Sequence, residues 1–473
     1  MPDKEIVWLP DLLYVAGRFE SDLALVCDVS GRIVRLVRND ELTDEKRIPL
    51  PRRAILPGMV NAHSHAFQRV LRGRTEYRTS NRADSFWTWR ETMYSAATRL
   101  TPEDIYDASR MAFLEMALGG ITAVGEFHYL HNAPAGRSYD DPNLLAKEVM
   151  RAAGEVGLRI ALLRVAYARS GFQTETNPKQ ARFIESDSEV YLKNVESLVS
   201  VRSPTVREGQ LANDGLPNGR ASDTAWIGLA PHSVRAVPLD YLRRVIDYAN
   251  LHNLKVHMHV AEQPAEVSAC IEEYGRTPIA LLQSEALLSE RFTAVHAIHV
   301  TPKAIPSFAK SGAIVCACPT TERNLGDGVV PADEYFKHGV PMCLGTDSHA
   351  QIDLLEDARE LEYHLRLQKL ERAVLSATAL FDCATINGAR SIGAPGGALE
   401  RGMPADFFTV DLDHPSIAGA SQDDLLASTV FTLSRAAVRE VVVGGKPIVS
   451  EGQHPIQEEV VERFNQLQKK LWS

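Results

Sequence analysis

Two histidines, His63 and His65, close the stretch Pro57-Gly-Met-Val-Asn-Ala-His-Ser-His65. An apolar run, Ala54-Ile55-Leu56, leads into it and reads as a buried strand. Side chains at i and i+2 of a strand leave the same face, so both imidazoles can reach one point. Two neutral imidazoles on one point are half of a divalent-metal site, and zinc is the first candidate for nitrogen donors. Alone, a His-x-His is weak, but the rest of the chain supplies what such a site needs. His257 and His259 lie in Lys255-Val-His-Met-His-Val260, and Glu262 follows the second of them. His296 ends Thr293-Ala-Val-His296, and Asp347 comes directly after Cys343-Leu-Gly-Thr346. Three imidazoles and one carboxylate bind Zn²⁺ and leave room for a water, whose pKa falls towards about 7. A carboxylate beside that water takes its proton, and a second acid must hand a proton to a leaving nitrogen. Asp347 suits the first role and Glu262 the second, while His296 can position the hydroxide or polarise the electrophile.

These residues need a scaffold that brings them together. Both ends of the chain read as β structure. Leu25 to Asp28 and Ile33 to Val37 flank a Ser30-Gly31 turn, and Arg439 to Val443 pairs with Lys446 to Val449 across Gly444-Gly445. The middle repeats a strand-then-helix rhythm. Thr101-Pro102-Glu103-Asp104 is a helix start, with a capping hydroxyl, a proline at the first position and acids facing the helix dipole. Apolar strands are expected at Ile121 to Tyr129, Arg159 to Val165, Trp226 to Leu229, Lys255 to Val260, Thr293 to His296, Ala313 to Cys316 and Pro341 to Leu344. With the strand before His63 they number eight, which fits an α/β (β/α)8 TIM barrel over residues 57–395. Residues 1–56 and 396–473 are then a small β-sandwich domain built from both termini, with a C-terminal helix. A doubly wound sheet would want a Gly-rich phosphate loop, and none is present. In a barrel the strand ends form the catalytic face, and the histidines and Asp347 all fall there. The segment 202–224 is polar, turn-rich and aperiodic, and reads as an exposed loop.

Composition narrows the partners. At 473 residues and 45% hydrophobic, the chain can build a large core. A formal net charge of -10 argues against nucleic acid or an anionic membrane as partner, yet leaves room for a small anionic substrate held by local arginines. The six cysteines (27, 270, 316, 318, 343 and 383) form no Cys-x-x-Cys, which suits a reduced, cytoplasmic protein. Neither a signal peptide nor a membrane span is legible.

The pieces His63-Ser-His65, His259-Val-Ala-Glu262, His296 and Asp347 resemble the mononuclear-zinc aminohydrolase branch of the amidohydrolase superfamily. That resemblance implies that His63, His65, His259 and Asp347 bind one zinc, that Glu262 shuttles protons, and that His296 acts on the hydroxide. Donor type alone does not separate zinc from iron or manganese. Gly397-Ala-Leu-Glu-Arg-Gly-Met-Pro-Ala-Asp406 looks like the return into the small domain, and Ala384-Thr-Ile-Asn-Gly-Ala-Arg390 like the last barrel helix. Further stretches are similar to one family, the N-formimino-L-glutamate deiminases. They are Asn61-Ala-His-Ser-His-Ala-Phe-Gln-Arg69, Ser85-Phe-Trp-Thr-Trp-Arg-Glu91, Glu126-Phe-His-Tyr129, His232-Ser-Val-Arg235, Thr321-Glu-Arg-Asn-Leu-Gly-Asp-Gly328 and Gly345-Thr-Asp-Ser-His349. By resemblance Gln68, Arg90, Tyr129, His232 and Arg235 contact substrate, Ser348 adds a hydrogen bond, and the chain forms a homodimer. The substrate so implied carries two carboxylates, for which arginine offers bidentate, permanently charged donors. Arg323 stands where a small residue is expected, and at the cleft mouth it would shift the preferred substrate length or charge. His257 is expected in the core or behind the ligands.

Overall fold

The computed structural model describes residues 5–43, 46–76, 86–174, 177–199 and 224–473. Apart from Thr224, the polar segment 202–224 lies outside the described residues, as does Ser85.

Eight strands run in chain order around one parallel sheet. They are β1 (Met59–Ser64), β2 (Ile121–His128), β3 (Arg159–Ala166), β4 (Ala225–Pro231), β5 (Val256–Val260), β6 (Phe292–His296), β7 (Ile314–Ala317) and β8 (Met342–Leu344). Every residue of β1, β2, β3 and β5 is buried, as expected for strands covered by helices outside and by packed side chains inside. β8 returns to β1. Asp347 N–H donates to the His63 carbonyl at 3.0 Å, and His65 N–H donates to the Asp347 carbonyl at 3.1 Å. Gly345 permits this closure, since a Cβ there would stand 2.6 Å from His63 Cβ and 2.8 Å from its carbonyl oxygen. The helix expected after Thr101 spans Pro102–Leu118 and starts with a full capping box between Thr101 and Asp104.

The apolar run Ala54-Ile55-Leu56 does not belong to the barrel. It lies in the strand Lys46–Pro57, which pairs in parallel with Ile6–Val15 and antiparallel with Phe407–Asp411. The barrel strand starts two residues later, past Gly58, where a Cβ would overlap the Thr122 side chain, 2.2 Å from its hydroxyl. There the chain passes from one sheet to the other. The second sheet has eight strands from both termini, bounded by Ile33–Arg38 on one side and Lys446–Val449 on the other. It curls so that its two end hairpins meet, with Gly31 packed against Gly444 and Gly445. Its own core includes Trp8 edge-on to Phe407 at 5.1 Å. A buried, two-point pair from Arg159 of β3 to Asp406 (2.6 and 3.0 Å) ties this sheet to the base of the barrel. The C-terminal helix Gln457–Trp472 closes the outside through Arg463–Asp107 and Lys470–Asp104.

Candidate active site

The ends of β1, β5 and β8 bring His63, His65, His259 and Asp347 together, with one donor atom from each lying within 4.8 Å of the others. His259 Nε2 stands 3.0 Å from His63 Nε2, and Asp347 Oδ1 lies 3.1 Å from His65 Nε2 and 3.5 Å from His63 Nε2. His65 turns its Nδ1 to the Phe127 carbonyl at 2.9 Å, leaving the Nε2 lone pair for the cluster. Burial pushes His63 down to about 3 and His259 well below the ordinary histidine range, so both are neutral and able to coordinate. Burial opposes ionisation of Asp347, but the adjacent His63 and His65 outweigh it and hold the carboxyl well below the usual range. Three buried imidazoles and one carboxylate converging in this way fit a divalent cation.

Glu262 and His296 stand beside these four. Glu262 Oε1 and Asp347 Oδ2 each lie 3.8 Å from His296 Nε2. The other ring nitrogen of His296 faces Glu322 Oε1 at 3.3 Å, and that carboxylate is itself fixed by the Cys318 N–H at 2.9 Å. Burial opposes a charged His296, but Glu262 and Glu322 outweigh it and push the imidazole up to about 10. Burial in turn raises Glu262 above its ordinary value, against the pull of His296. Backbone strain gathers at the same place. His296 (φ 70°), Ala297 (φ 49°), Asp347 (φ 45°) and His349 (φ 58°) are all left-handed non-glycine residues.

A second group of polar residues braces the seam between β1 and β8. Ser64 Oγ donates to Glu126 Oε2 at 2.5 Å and meets His349 Nε2 at 3.0 Å. His349 Nδ1 reaches Thr346 Oγ1 at 3.0 Å, and Asn61 Nδ2 donates to that same hydroxyl at 2.7 Å. Both ligand-bearing segments are therefore held by side chains that are not ligands.

The cluster lies in a cleft of about 500 Å³. Gln68, Arg90, Tyr129, His232 and Arg235 all line it. Gln68 Nε2 donates to Tyr129 OH at 2.7 Å, and His232 packs on His259 with ring centroids 4.8 Å apart. Arg90 stacks over Trp87 at 4.4 Å and also faces the Tyr94 ring at 5.5 Å. Arg90 Nε and Arg235 Nη1 are buried without a hydrogen-bond partner among the described residues. Ser348 does not line the cleft, and its hydroxyl pairs with Thr321 Oγ1 at 3.0 Å. Arg323 does not line the cleft either, and is bound to Glu360 at 2.6 Å on the helix Leu354–Lys369. His257 meets the Ser391 carbonyl at 3.1 Å on the last barrel helix, a core position.

Sequence reading missed three residues that shape this site. Glu322 lies in the stretch 321–328, and its role is the contact to His296 Nδ1. Tyr94 stands four residues after Arg90 on the helix Phe86–Ala97, a spacing that puts both on one face. Tyr167 directly follows β3, so the strand-end rule applied to it as to the histidines.

The known proteins that this chain resembles agree with the geometry. A formimidoylglutamate deiminase from Pseudomonas aeruginosa is 38% identical over 422 residues, covering 88% of each chain. A 5-methylthioadenosine/S-adenosylhomocysteine deaminase from Natronomonas pharaonis is 28% identical, over 84% of this chain and 81% of that one. Among solved structures, an amidohydrolase from Brucella melitensis superposes with a TM-score of 0.85 at 32% identity, covering 99% of this chain and all (100%) of that one. An adenosine deaminase from Xanthomonas campestris with bound zinc shares the fold at 22% identity and a TM-score of 0.82, covering 99% and 98% of the two chains. The amidohydrolase family profile matches residues 54–448, a span that takes in all four donors, Glu262 and His296, and the chain belongs to that family.

Proposed function

We propose that this chain is a formimidoylglutamate deiminase, hydrolysing N-formimino-L-glutamate to N-formyl-L-glutamate and ammonia with one bound zinc. The observation that carries the reading is the convergence of Arg90 and Arg235, each with a buried, unpartnered N–H, on the cleft that also holds the His/Asp cluster. Buried guanidinium donors without acceptors are costly unless a ligand supplies them, and a dicarboxylate does so. A purine pocket has no use for two such cations.

His63, His65, His259 and Asp347 would hold the metal. When bound, a divalent cation supplies Lewis acidity that brings the pKa of a water towards about 7. The protein's own groups do the rest. Arg90 and Arg235 hold the carboxylates and so fix the formimino carbon over the cluster. Asp347, kept ionised, accepts a proton from the attacking water. Glu262, raised by burial, carries a proton to the amidine nitrogen, which then leaves as ammonia while the carbon keeps the new oxygen as a formyl group. His296 keeps its Nδ1 proton on Glu322, so its Nε2–H faces the oxygen that gains negative charge.

A cytoplasmic setting belongs to the same reading, since all six cysteines are free and buried. Among the described residues no helix is long and apolar enough to cross a membrane. The test is ammonia release against N-formimino-L-glutamate, its shorter homologue, N-guanidino acids and neutral purines and triazines. Turnover of the formimino dicarboxylate is expected. Deamination of a neutral ring, with the dicarboxylate ignored, would overturn the proposal.

A further inference from the structure

Behind the cleft wall, one buried amide engages two phenols. Gln180 donates from Nε2 to Tyr94 OH at 2.7 Å and to Tyr167 OH at 2.7 Å. Gln180 is 1% exposed and does not line the cleft, whereas both tyrosines do. Its backbone is fixed as well, because it ends the short turn Pro178–Gln180, where its N–H donates to the Asn177 carbonyl at 2.9 Å.

A phenol oxygen accepts through its lone pairs and donates a single hydrogen. An amide N–H arriving on the lone pairs turns that hydrogen away from the amide. Each hydroxyl therefore accepts from Gln180 and keeps its own hydrogen for another partner. Among the described residues neither hydroxyl donates a hydrogen bond. Tyr167 faces the Arg235 guanidinium and Tyr94 faces Arg90, and arginine offers donors only. Burial holds Tyr94 above its ordinary value, so the hydroxyl stays protonated. This part of the wall is thus made of donors, and a planar group with several lone pairs completes it.

We propose that the Tyr94 and Tyr167 hydroxyls are a further contact to a substrate carboxylate, and that Gln180 is the positioning residue that turns their hydrogens outward. This deepens the deiminase reading and rests on it. The same wall then disfavours a substrate that lacks this carboxylate, because donors are left buried and unpaired.

The test uses the full-length enzyme with Tyr94→Phe, Tyr167→Phe, Gln180→Met and Gln180→Glu. Two readouts are taken, namely steady-state kinetics with N-formimino-L-glutamate and calorimetric binding of glutarate, a dicarboxylate that is not turned over. Each phenylalanine variant loses one oxygen and no packing, so it tests the idea even if a Gln180 variant folds poorly. Each is expected to raise KM and the glutarate Kd about tenfold with kcat within a few-fold, as for loss of one hydrogen bond to a charged group. Gln180→Met should do the same in the wild-type background and add nothing to Tyr94→Phe/Tyr167→Phe. Gln180→Glu, which accepts where glutamine donates, should weaken glutarate more than Gln180→Met. Tyrosine variants with wild-type KM and glutarate Kd would overturn the proposal, as would a Gln180→Met effect that is fully additive with the double variant. If the wild type releases no ammonia from the formimino substrate yet the variants still lose glutarate, the carboxylate contact stands and the deiminase reading falls.

Discussion

Glu262 and Arg235 divide the work of the cleft, one moving a proton and the other holding charge, and their variants should fail in different ways. Glu262→Gln keeps size and hydrogen bonding, so metal content should be unchanged while kcat falls by about 10² to 10⁴, the usual worth of a general acid–base group. Single-turnover kinetics with parallel metal analysis checks this, and a kcat within a few-fold of wild type would remove Glu262 from the mechanism. Arg235→Met takes away a buried cation facing the cleft. A lost charged hydrogen-bond partner costs about 1.5 to 3 kcal/mol, or about 10- to 150-fold in kcat/KM. The variant should also discriminate less between the dicarboxylate and an analogue lacking one carboxylate, and unchanged discrimination would place Arg235 outside the binding set. The donors themselves were legible in the chain, because His-x-His and isolated acids at strand ends follow a period-two geometry that spacing reveals. Glu322, Tyr94, Tyr167 and Gln180 were not. Helix spacing places Tyr94 beside Arg90 and the strand-end rule places Tyr167 at the catalytic face, but which neighbours these four residues touch is set by tertiary packing.

At the scale of elements, the seam between β1 and β8 is where local pattern and tertiary contact part company. Strand rhythm located all eight barrel strands to within a residue or two, except the first. There an apolar run in the second sheet masked a short barrel strand beginning after Gly58. Both segments are buried and apolar, and only the change of pairing partner separates them. Gly345 is the point of closest approach at the seam, and a methyl group there has no room beside His63. Gly345→Ala should therefore push β8 away from β1, separating Asp347 from the histidines. Reduced metal retention after dialysis and a lowered melting temperature are the expected results. A variant that holds its metal as the wild type does would show that the seam is more pliant than its backbone contacts suggest.

For the molecule as a whole, acid stability should depend on a buried ion pair outside the metal-ligand cluster. Glu185 receives two bonds from Arg164, at 2.6 and 3.0 Å, and one from Asn194 at 2.6 Å. Burial opposes its charge, yet His131 and Arg164 outweigh that and lower it from 4.5 to about 2. A carboxylate depressed on folding stabilises the protein above its unfolded pKa and ceases to do so as pH falls through the folded one. The contribution, on the order of 3 kcal/mol, should thus be complete above about pH 4.5 and gone near pH 2. Denaturant titrations of wild type and Glu185→Gln should differ most above pH 4.5 and converge on acidification. A gap that does not narrow would mean that Glu185 acts by packing alone.

The brace that joins Asn61, Ser64 and Glu126 to Thr346 and His349 also sets an order of events during synthesis. His63 and His65 leave the ribosome hundreds of residues ahead of Asp347, with His259 in between. Until the last strand emerges and docks, the two early histidines can capture a metal only loosely, as part of an unfinished chain. Metal uptake and barrel closure are then a single late step, and a chain cut before Gly345 would hold three of the four donors without the neighbour that fixes them. Cells short of the metal should accumulate a protein whose seam is loose, and limited proteolysis near residues 60–66 and 345–350 would reveal it.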